Sequence, residues 1–305
     1  MKKKSVPTEL PIRLQNEVAV NVPTVENFTT VKHSINLGDL YGAMGAIKKY
    51  YDITKRRVRI YQFLNQLANY YAGAEHPTKN ENGAAVCMNS TMFDMVKPLI
   101  ESQEYIESFQ KYEGQKIDLD FDVIRSKTFV NLPHGSLQGW IPLAFPDLTF
   151  DLSKAWITVN GKCPEHIKKQ VNRKVILNFT ERYRNGTIDY FFLKNYAPDL
   201  IFSGTEKEHW LFCSRWGLDI PRLEVSNFLE LAYALREARF LLCNQSMQLN
   251  LSQAMKTTHI FEICSFAQNI MHMINDNSFG FLHQVGVEYY WRKLYNETMI
   301  APKNH

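Results

Sequence analysis

The stretch Val31–Ile47, VKHSINLGDLYGAMGAI, decides how the rest of the chain is read. It opens apolar and β-branched, breaks at Gly38, sets Asp39 directly behind the glycine, and resumes as DLYGAMGAIKKYYDI with apolar residues at helical spacing. A second strand-like run, RRVRIYQFL from Arg56, follows at once, so the local order is strand, helix, strand. That order belongs to a parallel sheet, because parallel neighbours need a long crossover and a helix supplies it.

Working outward, the first 27 residues carry Pro7, Pro11 and Pro23 and read as an extended arm. AEHPTKNENGAA (74–85) reads as a loop. STMFDMVKPLIESQEYIESFQKY (90–112) reads as a helix capped by Ser90 or Thr91 and interrupted near Pro98. DLDFDVI (118–124) alternates like a strand, and the aromatic, proline-bearing run 132–159 suits a packed connection. In the second half KVILNF, DLIFSG, IPRLEV, RFLLC and THIFEIC alternate with segments of helix length. Among these, SNFLELAYALREA places Phe228, Leu231, Ala232 and Leu235 on one face, with Ser226 as a cap. Such alternation predicts parallel sheets covered by helices on both faces. The fold class is therefore α/β, with two Rossmann-like domains facing a cleft. The expected division is an arm over 1–27, a domain over 28–165 and a domain over 166–305, with the turn-bearing NGKCPEHIKK at the boundary. The final VGVEYYWRKLY caps either domain.

Bulk properties exclude more than they assign. The 305 residues carry a net charge of +4, too small a field to imply nucleic acid or an acidic membrane. Clusters at Lys48 and Lys49, Lys55–Arg57 and Lys168–Lys174 fit solvated surface or phosphate contacts. The five cysteines lack metal-like spacing and fit buried thiols in a reducing compartment. MKKK is followed by Pro and Glu in place of an apolar core, and no run approaches a membrane span, so a cytoplasmic protein is expected.

Ligands of open parallel sheets collect beyond the carboxyl ends of the strands, so the loops after the strands hold the candidates. After the first strand, Gly38 permits close approach and Asp39 either enters the crevice or caps the helix. In NFTERYRNG, Thr180, Arg182 and Arg184 either bind a diphosphate through planar guanidinium donors or form an exposed turn. In SGTEKEHW, Gly204 and Thr205 end a strand ahead of two helix-opening acids. In CNQSMQLNLSQAM, Gln245 and Ser246 precede a helix whose free N–H groups suit a phosphate, with a plain Ser246 cap as the other reading. Glu262, inside an apolar run, either reaches a ribose or is a paired core charge, because an unpaired buried carboxylate is too costly. Trp140, Phe145, Phe150 and Trp156 either line a sugar platform or pack in the core.

VKHSINLGDLYGAMGAI resembles the opening of the heptosyltransferase-like glycosyltransferases (the ADP-heptose transferase superfamily), with its apolar strand, S-x-G-D-like turn and helix rich in small residues. LAYALREARFLLCNQSMQLNLSQAM is similar to their later segment, in which helix and strand lead to D-S/T-G-x-x-H-L-A. The likeness spans about half of the chain. It implies the GT-B architecture and transfer of a sugar from a nucleoside diphosphate sugar, with inversion and without a metal or other cofactor. Asp39 falls on the family's catalytic base. Gln245 stands at the later acid, Ser246 at the Ser/Thr, Met247 at the glycine and Asn250 at the histidine. The resemblance further implies that Gly38, Thr180, Arg182, Arg184, Gly204, Thr205, Gln245, Ser246, Asn250 and Glu262 serve the donor, meeting Asp39 across the cleft after closure. The partners implied are a nucleotide sugar and an acceptor that is a glycan, a lipid-linked glycan, a protein or a modified DNA base. The changed later motif keeps two other readings open: a catalytically silent nucleotide- or glycan-binding module, and a nucleotide-sugar epimerase.

Overall fold

A computed structural model describes residues 28–68, 76–125, 136–265 and 276–300, so the expected arm over 1–27 lies outside the described residues. Strand β1 (Phe28–His33) leads into helix α1 (Leu37–Thr54) and strand β2 (Arg57–Gln62), as the opening stretch predicts. Helix α2 (Ser90–Glu101), β3 (Ile106–Lys111), the short β4 (Leu119–Asp120) and α3 (Leu137–Ala144) follow. The four strands form one parallel sheet in the order β3-β2-β1-β4.

After α4 (Glu165–Val171), the second half builds β5 (Val175–Asn178), β6 (Leu200–Phe202), α5 (Glu206–Trp216), α6 (Phe228–Glu237) and β7 (Leu241–Cys243). It ends with α7 (Met247–Met255), β8 (His259–Glu262), β9 (Ser278–Phe281) and α8 (Gln284–Ile300). Its five strands are also all parallel, in the order β6-β5-β7-β8-β9. The fold is α/β with the GT-B arrangement of two Rossmann-like units about a cleft.

Several elements depart from expectation. The helix does not continue to Tyr112: α2 passes through Pro98, stops at Glu101, and IESFQK forms β3. The α2 cap is Asn89, whose side chain accepts from Met92 N at 2.9 Å, and the α6 cap is Asn227 in place of Ser226. IPRLEV makes only an isolated bridge between Arg222 and Phe202, because Pro221 has no N–H for a ladder. Helix α3 lies within the expected aromatic connection, and β9 was not foreseen. Helix α8 packs on the second half, where Val287, Trp291 and Leu294 enter its outer core.

One continuous core joins the two halves, running from Leu40, Met44 and Ile47 of α1 to Leu231 and Leu235 of α6 and Leu249 and Leu251 of α7. Residues 156 and 157 staple it. Trp156 Nε1 donates to Tyr41 O at 2.7 Å, and the Trp156 and Ile157 N–H groups donate to Ala254 O at 3.0 and 3.2 Å. Phe150 sits T-shaped on Trp156, their centroids 5.2 Å apart, and fills the space beside Gly45. A Cβ at Gly45 would lie 2.2 Å from the Phe150 ring, so glycine is imposed there although it costs about 1 kcal/mol of helix propensity. Phe150 and Trp156 are therefore core residues.

Candidate active site

In each sheet the strand order reverses once. The first sheet grows from β1 through β2 to β3, then returns to place β4 on the other side of β1. The second places β6 on one side of β5 and β7 on the other. A reversal opens a crevice at the carboxyl ends, because the two crossovers leave in opposite directions. The loop after β1 and the loops after β5 and β7 converge on a cavity of about 440 Å³ that both halves line.

On the N-terminal side the helix cap falls on Asn36, whose extended backbone precedes α1 and whose carbonyl accepts from Leu40 N at 2.9 Å. Asp39 therefore stands in the first helical turn, half-buried, on the cavity wall, and is not the cap residue. A Cβ at Gly38 would meet Asn250 Nδ2 at 3.0 Å, so the glycine lets α1 and α7 approach beside the carboxylate.

On the C-terminal side Asn244 organises the loops. Fully buried at the end of β7, it accepts from Thr180 N at 3.1 Å and donates to Thr180 O at 2.9 Å and Arg182 O at 2.7 Å. This holds the loop after β5 in place, with Tyr183 at φ 54°, a left-handed conformation unfavourable for a bulky residue. Asn178 joins the neighbouring loops: its Nδ2 donates to Ser203 O at 2.6 Å, and its Oδ1 accepts from the Ser246 hydroxyl. Ser246 caps α7, accepting from Gln248 N at 3.2 Å. Thr205 and Glu208 close a capping box on α5, with Glu208 Oε2 accepting from Thr205 N at 2.9 Å.

Gly38, Asp39, Thr180, Arg182, Gly204, Thr205, Gln245, Ser246 and Asn250 all line the cavity, whereas Arg184 and Glu262 do not. Arg184 Nε lies 3.2 Å from Glu262 Oε1, and the other Glu262 oxygen accepts from Tyr190 OH at 2.7 Å. Glu262 is thus the paired core charge, and Arg184 is drawn inward to it, its guanidinium 5.0 Å from the Phe179 ring centroid. The changed later motif is tied into the fold. Gln245 Oε1 accepts from Cys264 N at 2.6 Å, and Asn250 Nδ2 donates to Ser246 O at 3.1 Å.

Sequence reasoning passed over His76, Asn178 and Gln248, which also line the cavity. His76 is buried, and its Nδ1 accepts from Thr78 N at 3.2 Å, which leaves the proton on Nε2. Burial first, and the Arg182 guanidinium second, push its pKa down to about 4, so it is neutral at pH 7. An X-His-Pro triplet in a polar loop was its only signal. Asn178 and Asn244 both stand at strand ends, where a buried amide can serve two loops at once. Of the aromatic group, Trp140 is the member on the cavity wall.

Among the described residues, the lysine or arginine side chains on the wall are Arg182 and Arg222, and Arg222 is engaged with Glu224 at 2.7 Å. The lysine and arginine clusters of the sequence lie away from the cavity, Lys48 pairing with Asp52 at 2.9 Å and Arg57 with Glu107 at 2.7 Å. Among the described residues, no three His, Cys, Asp or Glu side chains group as metal ligands. No disulfide joins the five cysteines. No described helix is long and apolar enough to cross a membrane.

No protein-family model and no curated protein matches the sequence. Solved structures do match in shape. Escherichia coli ADP-heptose LPS heptosyltransferase II superposes with a TM-score of 0.57 over 89% of this chain and 99% of its own, at 10% identity. The E. coli heptosyltransferase WaaC with ADP gives 0.55 over 87% and 99%, at 8% identity. A glycosyl transferase family 9 protein from Veillonella parvula gives 0.50 over 87% and 88%, at 7% identity. At such identities the likeness establishes the shared heptosyltransferase-like fold.

Proposed function

We propose that this chain transfers a glycosyl group from a nucleoside diphosphate sugar to an acceptor hydroxyl, with inversion at the sugar carbon and Asp39 as general base. The observation that carries the reading is that Asp39, Arg182 and the Ser246-capped start of α7 share one cavity contributed by both halves. The acceptor hydroxyl acidifies only as its oxygen bonds to the sugar carbon, and a carboxylate at hydrogen-bond reach takes that proton in the transition state. The departing diphosphate gathers negative charge at the same moment. Arg182 and the first N–H groups of α7 are the groups here that stabilise it without reorganising. Charge compensation from these groups is the basis for proposing transfer without a metal. Neighbours of the same fold are heptosyltransferases, one of them solved with ADP, which supports a nucleotide sugar as donor.

The test is Asp39→Asn. With a panel of nucleoside diphosphate sugars and acceptors, the variant should lose roughly a hundredfold or more in kcat while nucleotide affinity stays within about twofold. The anomeric configuration of the product, read by NMR, tests inversion. Equal turnover by Asp39→Asn rejects the assignment.

A second reading has its own observation. Gln245 and Asn250 are neutral amides committed to Cys264 N and Ser246 O, so these two positions serve the fold. A binding module that holds a nucleotide or glycan without turnover is consistent with that. Nucleotide binding by calorimetry with no turnover of any donor would favour it.

A further inference from the structure

Four polar side chains reach the C-terminal side of the cavity from three strand ends: Asn178 closes β5, Ser203 follows β6, and Ser246 and Gln248 open α7 after β7. All four are buried, Ser203 to 4% exposure and Gln248 to 3%. Their hydrogen bonds can be followed atom by atom. Asn178 Nδ2 donates to Ser203 O at 2.6 Å, and its Oδ1 takes the Ser246 proton. Ser246 Oγ in turn accepts from Gln248 N at 3.2 Å. Gln248 Nε2 donates to Ser203 Oγ at 2.8 Å and lies 3.3 Å from Ser203 O.

One acceptor and one donor are left over. Gln248 Oε1 is shielded from water and accepts from no partner. Ser203 Oγ accepts from Gln248, so its own proton is still to be given, and no acceptor takes it among the described residues. Exchanging the two ends of the Gln248 amide does not cure the imbalance, because a carbonyl oxygen would then face Ser203 O at 3.3 Å with no proton between them. Ser246 has already committed its proton to Asn178, so Ser203 carries the hydroxyl of this group that can donate. Buried polar groups are normally paired. A donor and an acceptor left over on touching side chains of a cavity wall fit a group that is both.

We infer that Ser203 and Gln248 together bind one hydroxyl group of the nucleotide sugar, the Ser203 hydroxyl donating to its oxygen and Gln248 Oε1 accepting its proton. A modest turn of the Gln248 carboxamide, whose last torsion is soft, brings Oε1 to the cavity face. A phosphate oxygen fits less well, since it takes the Ser203 proton but sets its charge against Oε1. The phosphates keep to Arg182 and the N–H groups of α7, and Gln248 stands in that same first turn of α7. A hydroxyl next to the diphosphate belongs to the ribose or to the sugar being transferred, whereas the base lies a ribose further away. The inference rests on the transfer reading for the ligand's identity. It makes Ser203 and Gln248 specificity-determining residues, because a site built for a hydroxyl leaves its own groups unpaired when that hydroxyl is missing.

Calorimetric titration of the full chain, with ligand and protein altered in turn, tests this without needing turnover. The probes are ADP, GDP, CDP and UDP, followed, for the tightest binder, by its 2′-deoxy and 3′-deoxy forms, its glucose conjugate and the deoxyglucose conjugates. One deoxy form should bind about tenfold or more weakly than its parent. Ser203→Ala and, separately, Gln248→Met should weaken the parent by a similar factor yet leave that deoxy form within about twofold, so that the two losses do not add. Residues that merely support the fold would weaken both ligands alike. The identity of the affected form tells ribose from transferred sugar. Additive losses overturn the inference, and so does a set in which no deoxy form is weaker than its parent, which is the result if a base edge fills the corner. A chain that shows the coupling but transfers to no acceptor rejects the transfer reading and keeps the hydroxyl site. One that binds none of the four nucleotides rejects both.

Discussion

Gly38 of α1 and Asn250 of α7 meet on the cavity wall, and a Cβ on the glycine would lie 3.0 Å from the Asn250 amide nitrogen. The amide cannot simply yield, because it also donates to Ser246 O at 3.1 Å. Gly→Ala at an ordinary helix position gains up to about 1 kcal/mol. Here that gain should vanish, and Gly38→Val should cost roughly 1–3 kcal/mol through overpacking. Chemical denaturation checks both variants. Adding Asn250→Ala should recover much of the Gly38→Val loss, since the two residues touch and their effects couple. A strictly additive double mutant would mean that the contact does not limit the approach of α1 to α7.

Asn244 is the second lever on the site. Asn244→Ala leaves the Thr180 N–H and the Thr180 and Arg182 carbonyls without their shared partner. Buried groups stripped of a partner cost about 1–3 kcal/mol. The loop that carries Arg182 loses its anchor at the same time, so nucleotide affinity should fall several-fold alongside Tm. Asn244→Asp should not rescue. It keeps the acceptor for Thr180 N but sets an anion against two carbonyl oxygens, and it should melt lower than the alanine variant. A nucleotide Kd unchanged in both would show that Arg182 is positioned by other contacts.

Much of this architecture was readable because strand and helix periods differ and glycine marks the turn between them. The opening stretch shows this: β-branched residues to His33, a break, then apolar residues at helical spacing. The loops after the strands were legible as the loops that line the cavity for a topological reason, since carboxyl ends collect at the order reversals. Tertiary events were not legible. Arg182 and Arg184 are two residues apart in one loop, and nothing local says which faces the cavity. The choice is made by Glu262, seventy-eight residues beyond Arg184, which pulls it inward. IESFQK satisfies helix and strand patterns alike, and the sheet decides it. His76 reaches the cavity from a polar loop whose composition carries no period at all.

Stability should depend on pH through a histidine that does not line the cavity. His259 is fully buried on β8, with Nδ1 donating to Thr257 O at 2.8 Å and Nε2 accepting from Ser278 Oγ at 2.8 Å. Burial lowers its pKa from 6.5 to about 4, so the folded chain holds it neutral. Between about pH 6.5 and 4 the unfolded chain binds a proton that the folded chain refuses. Stability therefore falls as the pH drops through that window, by up to about 1.4 kcal/mol per pH unit for one such group. His76, also lowered to about 4, adds the same sign. Urea melts from pH 7.5 to 5 should show the loss, and His259→Gln should flatten the slope by about half. An unchanged slope in that variant would mean that His259 protonates within the native state.

The Arg184–Glu262 pair gives the sharpest separation between fold and chemistry. Glu262 is 0% exposed and Arg184 13%, so the pair is desolvated, and it is completed by Tyr190 OH and the Asn185 N–H on the carboxylate. Burial of the phenol together with the Glu262 charge raises the Tyr190 pKa well above its ordinary value, which keeps the hydroxyl a donor at any working pH. Removing one partner strands the other charge, and such losses run to about 3–5 kcal/mol. Arg184→Ala should therefore lower stability by several kcal/mol. Arg184→Ala with Glu262→Gln should be distinctly milder, because the amide can still accept from Tyr190 and no bare charge is left. In neither case is Arg184 asked to hold a phosphate, so where the folded fraction suffices for calorimetry, nucleotide affinity per folded molecule should match the parent. A tenfold loss of affinity in the stabilised double variant would instead place this arginine at the donor.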